Sequence, residues 1–171
     1  MSRSPEGAHA VGKVAHSRGV MASLRSRIKT KRWNDPAEQD DGYRVLICRY
    51  RPRGVAREKE TWDAWLPQLG PSPELHAAVY GKAGAPIGWD EYARRYLEEM
   101  QRQTFWIAGF AERGAKGETL TLLCSSACDD PARCHRSLLR DLIANAGAPE
   151  PSLPSETYTP SPRGPTVDIG L

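Results

Sequence analysis

Cys124, Cys128 and Cys134, three of the chain's four cysteines, share one short stretch with Arg133, His135 and Arg136. These residue types supply soft nucleophiles, general bases, metal ligands and anion-binding forks. The thiolate is the nucleophilic and ligating form of cysteine, and nearby positive charge or a helix N-terminus favours it. Pro131 suits a first helical position, so Cys134 is expected about one turn into a helix, at its positive end and flanked by arginines. The expected roles are Cys134 as nucleophile or redox thiol and His135 or Cys124 as its partner. One buried cysteine often only packs; three beside a histidine favour chemistry.

The same residues offer a metal-binding alternative. Cys124, Cys128, Cys134 and His135 could form a tetrahedral zinc site, with iron or haem as the other groups such donors suit. The spacing C-x3-C-x5-C-H lacks a C-x2-C knuckle, and neighbouring helical residues project about 100° apart, so this reading ranks second. Cys134 to Arg140 also has the C-x5-R spacing of cysteine phosphatases. A helix already begun at Pro131 leaves no phosphate loop between them.

A second cluster, Arg49, Arg51 and Arg53, alternates after an apolar run, so an extended chain would set all three on one side. Guanidinium forks match phosphate and carboxylate. Together with Arg136 and the amides of the last helix, they are expected to hold a small anionic ligand. Ligands of open α/β sheets bind beyond the carboxyl ends of strands. Both clusters follow such ends, and parallel neighbouring strands would make them face one cleft.

The positioning elements follow from pattern. Arg27 to Arg32 suits a short strand. Tyr43 to Tyr50 is the strongest strand, with Val45-Leu46-Ile47-Cys48 apolar on both faces, and Pro52 ends its pairing. Arg51 to Lys59 reads as a basic loop, and Trp62 and Trp65 have helical spacing. Ser72 can cap a helix from Pro73 to Tyr80. Trp89, Tyr92, Tyr96, Leu97 and Met100 mark the apolar face of another helix. Phe105 to Arg113 continues helically; turns at Gly114 and Gly117 then lead to a buried strand, Thr119 to Cys124. Ser125 to Asp130 is the loop before the last helix, which runs to about Ala146. Strands separated by helices imply a single α/β domain, a small parallel or mixed sheet with helices on both faces.

Composition sets the limits. In 171 residues with 39% hydrophobic content, one core is expected. Residues 1–33 hold eight Lys/Arg against the single acid Glu6, a net of +7, which leaves 16 basic and 20 acidic residues, −4, for the rest. Residues 1–20 are aperiodic and read as disordered. They head a flexible basic leader assigned to 1–24, with Met21 as a second candidate start. A leader of this charge gives a further alternative, an accessory protein associated with nucleic acid. The domain is assigned to 25–146 and a Pro-rich tail to 147–171. The absence of a membrane-length apolar run or a signal-like start points to the cytoplasm. There, thiols are reduced by default.

Several separated motifs carry a family likeness. Gly42-Tyr43-Arg44-Val45-Leu46, Arg49-Tyr50-Arg51-Pro52-Arg53-Gly54-Val55, Trp62-Asp63-Ala64-Trp65-Leu66 and Gly70-Pro71-Ser72-Pro73-Glu74-Leu75 resemble, in order, the YeaO-like family, domain of unknown function 488. Trp89 to Tyr96, Thr121 to Cys124 and Cys134-His135-Arg136 extend the resemblance across roughly Ile28 to Ala146. It implies a small bacterial or archaeal α/β domain. Many relatives carry aspartate at Cys48 and tryptophan at Arg51, and one branch lacks the cysteines.

Overall fold

The computed structural model describes residues 19–82 and 84–147. Most of the expected leader and nearly all of the Pro-rich tail lie outside these residues. The strands β1 (Ile28–Arg32), β2 (Tyr43–Leu46), β3 (Ala64–Trp65) and β4 (Leu120–Cys124) form one parallel sheet in the order β1-β4-β2-β3. Every residue of β4 is buried. That is the apolar pattern of a central parallel strand.

The helices are α1 (residues 19–27), α2 (Pro73–Val79), α3 (Trp89–Met100), α4 (Thr104–Ala115) and α5 (His135–Ala146). Ser72 Oγ accepts the Leu75 amide at 3.1 Å, as expected of a cap before Pro73. On α3, Tyr92, Tyr96 and Met100 enter the core while Leu97 stays exposed.

All five helices bury residues in one large core with Val45, Ile47, Leu120 and Leu122. The alternate residues Leu46, Cys48 and Leu123 enter a smaller core with Trp62, joined by Trp33 and Val55. Loop residues therefore close the second face, where helices had been expected. Two tryptophans and a valine suffice because so short a sheet exposes little apolar surface.

Four further expectations change. β2 pairs only to Leu46, although the Ile47 amide still donates to Leu123 O at 2.9 Å. The Trp62/Trp65 segment is no helix: Ala64–Trp65 is an edge strand, with Trp62 buried and Trp65 partly exposed. Residues 19–24, assigned to the leader on composition, belong to α1, whose Leu24 is buried. Gly114 lies inside α4, where a Cβ would come within 2.3 Å of Leu24 Cδ1; its smallness serves close packing. Gly117 does turn, at φ 95°.

Candidate functional site

β2 and β4 end side by side, with Leu46 opposite Leu123. The chain leaving β2 passes to β3 at the sheet edge, and the chain leaving β4 turns into α5. A cavity of about 720 Å³ opens beyond these ends and is lined by both candidate clusters. This is the parallel-neighbour arrangement on which a shared cleft depends.

The sequence brings Cys128 back to the strand end by local chemistry. The Cys128 amide donates to Ser125 O at 3.1 Å and the Ala127 amide to Ser125 Oγ at 3.2 Å. Asp130 then caps a short 3-10 turn, Pro131–Arg133, by accepting the Ala132 amide at 2.8 Å. Cys134 interrupts the helix with extended backbone, φ −139° and ψ 139°, and α5 begins at His135. Cys134 is thus the residue at the helix mouth, not one turn inside it. The 100° separation argued against its pairing with His135 does not apply. From Cys134 to Arg140 the chain is cap and regular helix, so no phosphate loop exists.

The Cys124 Sγ–H donates to Cys128 Sγ at 3.3 Å. Single donor atoms of Cys124, Cys134 and His135 all lie within 4.8 Å of one another. His135 Nε2 is 3.0 Å from Ile47 O. A carbonyl only accepts, which assigns the hydrogen to Nε2 and leaves Nδ1 as the ring's acceptor. The ring packs against Tyr96, centroids 5.4 Å apart, and Tyr96 Oη donates to Leu69 O at 2.8 Å. Cys124 Sγ stands 3.8 Å from Nδ1 and 3.7 Å from Nε2.

Charge divides unevenly among the thiols. Hydrogen bonding with Cys128, then with Cys134 and Cys48, and then burial hold Cys124 protonated, far above the ordinary thiol range. A hydrogen bond from Cys124 favours the Cys134 thiolate, but the bond to Cys128 and burial outweigh it and push Cys134 up to about 12. Cys128 goes the other way: hydrogen bonds from Cys124 and Cys134, helped by the positive charge of Arg136, carry it well below the usual range despite burial. Burial also lowers His135, against the Ile47 hydrogen bond, and so favours neutral imidazole.

The arginines separate. Arg49 and Arg53 line the cleft, as does Arg133, which the sequence suggested only as a neighbour of the thiols. Arg51 pairs with Glu60, because the chain bends at Arg49 and Tyr50 and turns again at Arg53 and Gly54 rather than running extended. Arg136 is buried behind the loop; Nη2 donates to Cys128 O at 3.2 Å, while Nε and Nη1 have no partner among the described residues. A Cβ at Gly70 would meet the Arg49 amide nitrogen at 2.6 Å, so glycine lets the next segment reach the strand end, where Pro71 O accepts Arg49 Nε at 2.7 Å. That bond engages Nε and leaves the Nη groups of Arg49 without a partner among the described residues.

Cys48 is the site residue that sequence reasoning passed over. It follows β2 by two residues and packs with Cys124 in the smaller core, and a cysteine just past a strand end was the available signal. Tyr50, His76 and Tyr80, also on the cleft, carried no comparable pattern.

Residues 28–147 match the model of a family described as "Active DUF488-N3 subclade". The chain is 36% identical over 99 residues to the uncharacterized protein YeaO of Escherichia coli K12, covering 58% of this chain and 83% of that one. It is 28% identical over 118 residues to the uncharacterized protein Rv3073c of Mycobacterium tuberculosis H37Rv, covering 69% and 94%. No solved structure matches. A family match over most of the chain, joined to a parallel sheet carrying the motifs that first suggested it, means that the chain belongs to the YeaO-like DUF488 family.

Proposed function

We propose that the cleft binds a small molecule bearing phosphate or carboxylate and presents a cysteine thiolate to it. Arg49, Arg53 and Arg133 hold the anion. The attacking thiol is Cys128, in place of the Cys134 favoured on sequence, and Cys124 is its neighbour and hydrogen-bond donor. One observation carries this reading: the half-buried thiol of the cluster lies beside the Cys124 S–H on the same cleft as three arginines that form no ion pair among the described residues. A neighbouring guanidinium group, here that of Arg136 on the Cys128 carbonyl, is a surrounding in which thiolates persist. The family's description as an active subclade is in keeping with catalysis.

Direct binding tests the anion half. Calorimetry with ribose 5-phosphate should detect a complex, weakened by at least about ten-fold when Arg53 and Arg133 are both replaced by alanine, because each charge-assisted contact contributes roughly 1.5–3 kcal/mol. Unchanged affinity in that variant removes the arginines from the role.

A second reading has its own support. Single donor atoms of Cys124, Cys134 and His135 lie within 4.8 Å of one another. His135 turns its other ring nitrogen to a backbone carbonyl, the usual support of a metal-bound imidazole. Cys128 would complete a Cys3His zinc set. Elemental analysis of protein purified without added metal should then give one zinc or iron per chain, removed by mutating Cys134 and His135 together. Metal-free protein with an intact fold excludes it.

A further inference from the structure

Tyr50 and Tyr80 are each 57% exposed, although both stand on the cleft. They flank His76, with ring centroids 5.1 Å away at 86° and 4.8 Å away at 46°. Trp89, stacked on Tyr92 at 5.5 Å, adds a further ring to the same lining. A folded chain loses by leaving large ring surfaces in water, and such rings at a cleft offer flat faces to a planar ligand. The acidic side chains nearby do not cancel the arginines: Asp129 pairs with Arg32 at 2.8 Å, and Asp130 caps the 3-10 turn. Ser126 and the outer oxygen of Asp130 are suited to sugar hydroxyls.

We infer that the ligand class is a nucleoside phosphate, its base against the Tyr50–His76–Tyr80 rings and its phosphate on Arg49, Arg53 and Arg133. This rests on the anion-cleft reading and adds the base to it. Rings alone would suit any flat apolar molecule, and guanidinium groups alone any small anion. Rings, hydroxyl-binding groups and arginines that form no ion pair among the described residues, in one cavity of about 720 Å³, suit a molecule with all three parts. The unit could be a free nucleotide or part of a single strand, since base stacking on aromatic side chains serves both.

The test is calorimetry on the full chain with ribose 5-phosphate, AMP and a five-residue single-stranded oligonucleotide, repeated on a Tyr50→Ala/Tyr80→Ala variant, whose changes lie at exposed positions. AMP should bind about ten-fold or more tighter than ribose 5-phosphate. The variant should lower AMP to the ribose 5-phosphate level and leave ribose 5-phosphate itself within about two-fold. An oligonucleotide tighter than AMP supports the inference with a strand as the source; a tighter AMP supports it with a free nucleotide. Equal binding of AMP and ribose 5-phosphate, or AMP binding untouched in the variant, overturns the base site while the anion cleft stands. Binding of none of the three overturns both.

Discussion

Labelling of Cys128 by iodoacetamide is expected to proceed at a nearly level rate from pH 8 down to pH 5, a range over which an ordinary thiol loses roughly three orders of magnitude of its thiolate. The folded pKa of Cys128 lies well below that of a free thiol, because Cys124 and Cys134 donate hydrogen bonds to it and the charged Arg136 lies nearby. The charged form is therefore present throughout the window and is lost only as pH falls through the depressed value. The pH profile is the signature, more than the absolute rate, since a thiolate of low basicity is a weaker nucleophile. Cys124 and Cys134 are buried and held as thiols. A Cys128→Ser variant should consequently lose at least about 99% of native-state labelling at pH 5 to 6. A rate that falls ten-fold per pH unit contradicts the assignment.

The second large effect concerns stability, at the opposite end of β2. Asp41 is 1% exposed and Arg44 6% exposed, and the two form an ion pair. Lys31 Nζ approaches Asp41 at 2.7 Å, the Glu38 amide donates to it at 3.0 Å, and Thr121 Oγ1 donates to its backbone carbonyl at 2.6 Å. Glu38, Asp40 and Asp41 have the spacing of a cation site, but Lys29, Lys31 and Arg44 already neutralise them. Asp41→Asn would leave a buried guanidinium without its counter-charge, a loss of about 3–5 kcal/mol against a typical total of about 5–15. Urea unfolding measures this, and a loss under about 1 kcal/mol would contradict the account.

Acid should act through the same carboxylate. Burial opposes its charge, yet hydrogen bonds from Lys31 and Glu38, with the nearby charges of Arg44 and Lys31, lower its pKa overall. Its contribution is complete above the unfolded value of about 3.9 and is lost as pH falls through the depressed folded value.

The parts of this fold that sequence made legible are those where a single local pattern decides the outcome. The apolar run at β4, the Ser72–Pro73 cap and the Tyr92–Tyr96–Met100 stripe each formed as expected. Trp62 and Trp65 misled because two residues three apart fit a helix turn and also opposite sides of a strand. Cys134 misled because Pro131 does begin helical backbone, but only a 3-10 turn that stops one residue before α5. Within the site, the strand-end position of both clusters was readable. The half-buried position of Cys128 beside the buried Cys134 was not, since it depends on which thiol the Ser125 turn leaves at the cleft. Arg136 and Arg51 had the right charge in the right neighbourhood, and only packing shows that one is buried behind the loop and the other held by Glu60.

An anion and a thiolate that share one cleft must compete for the same space, so protection of Cys128 by a bound anion tests both halves in one measurement. With saturating ribose 5-phosphate, iodoacetamide labelling of Cys128 at pH 7 should slow by about ten-fold or more, and replacing Arg53 and Arg133 with alanine should abolish the protection while preserving labelling without ligand. Labelling unaffected by a ligand that calorimetry shows to be bound, or protection that survives loss of both arginines, would contradict the shared cleft.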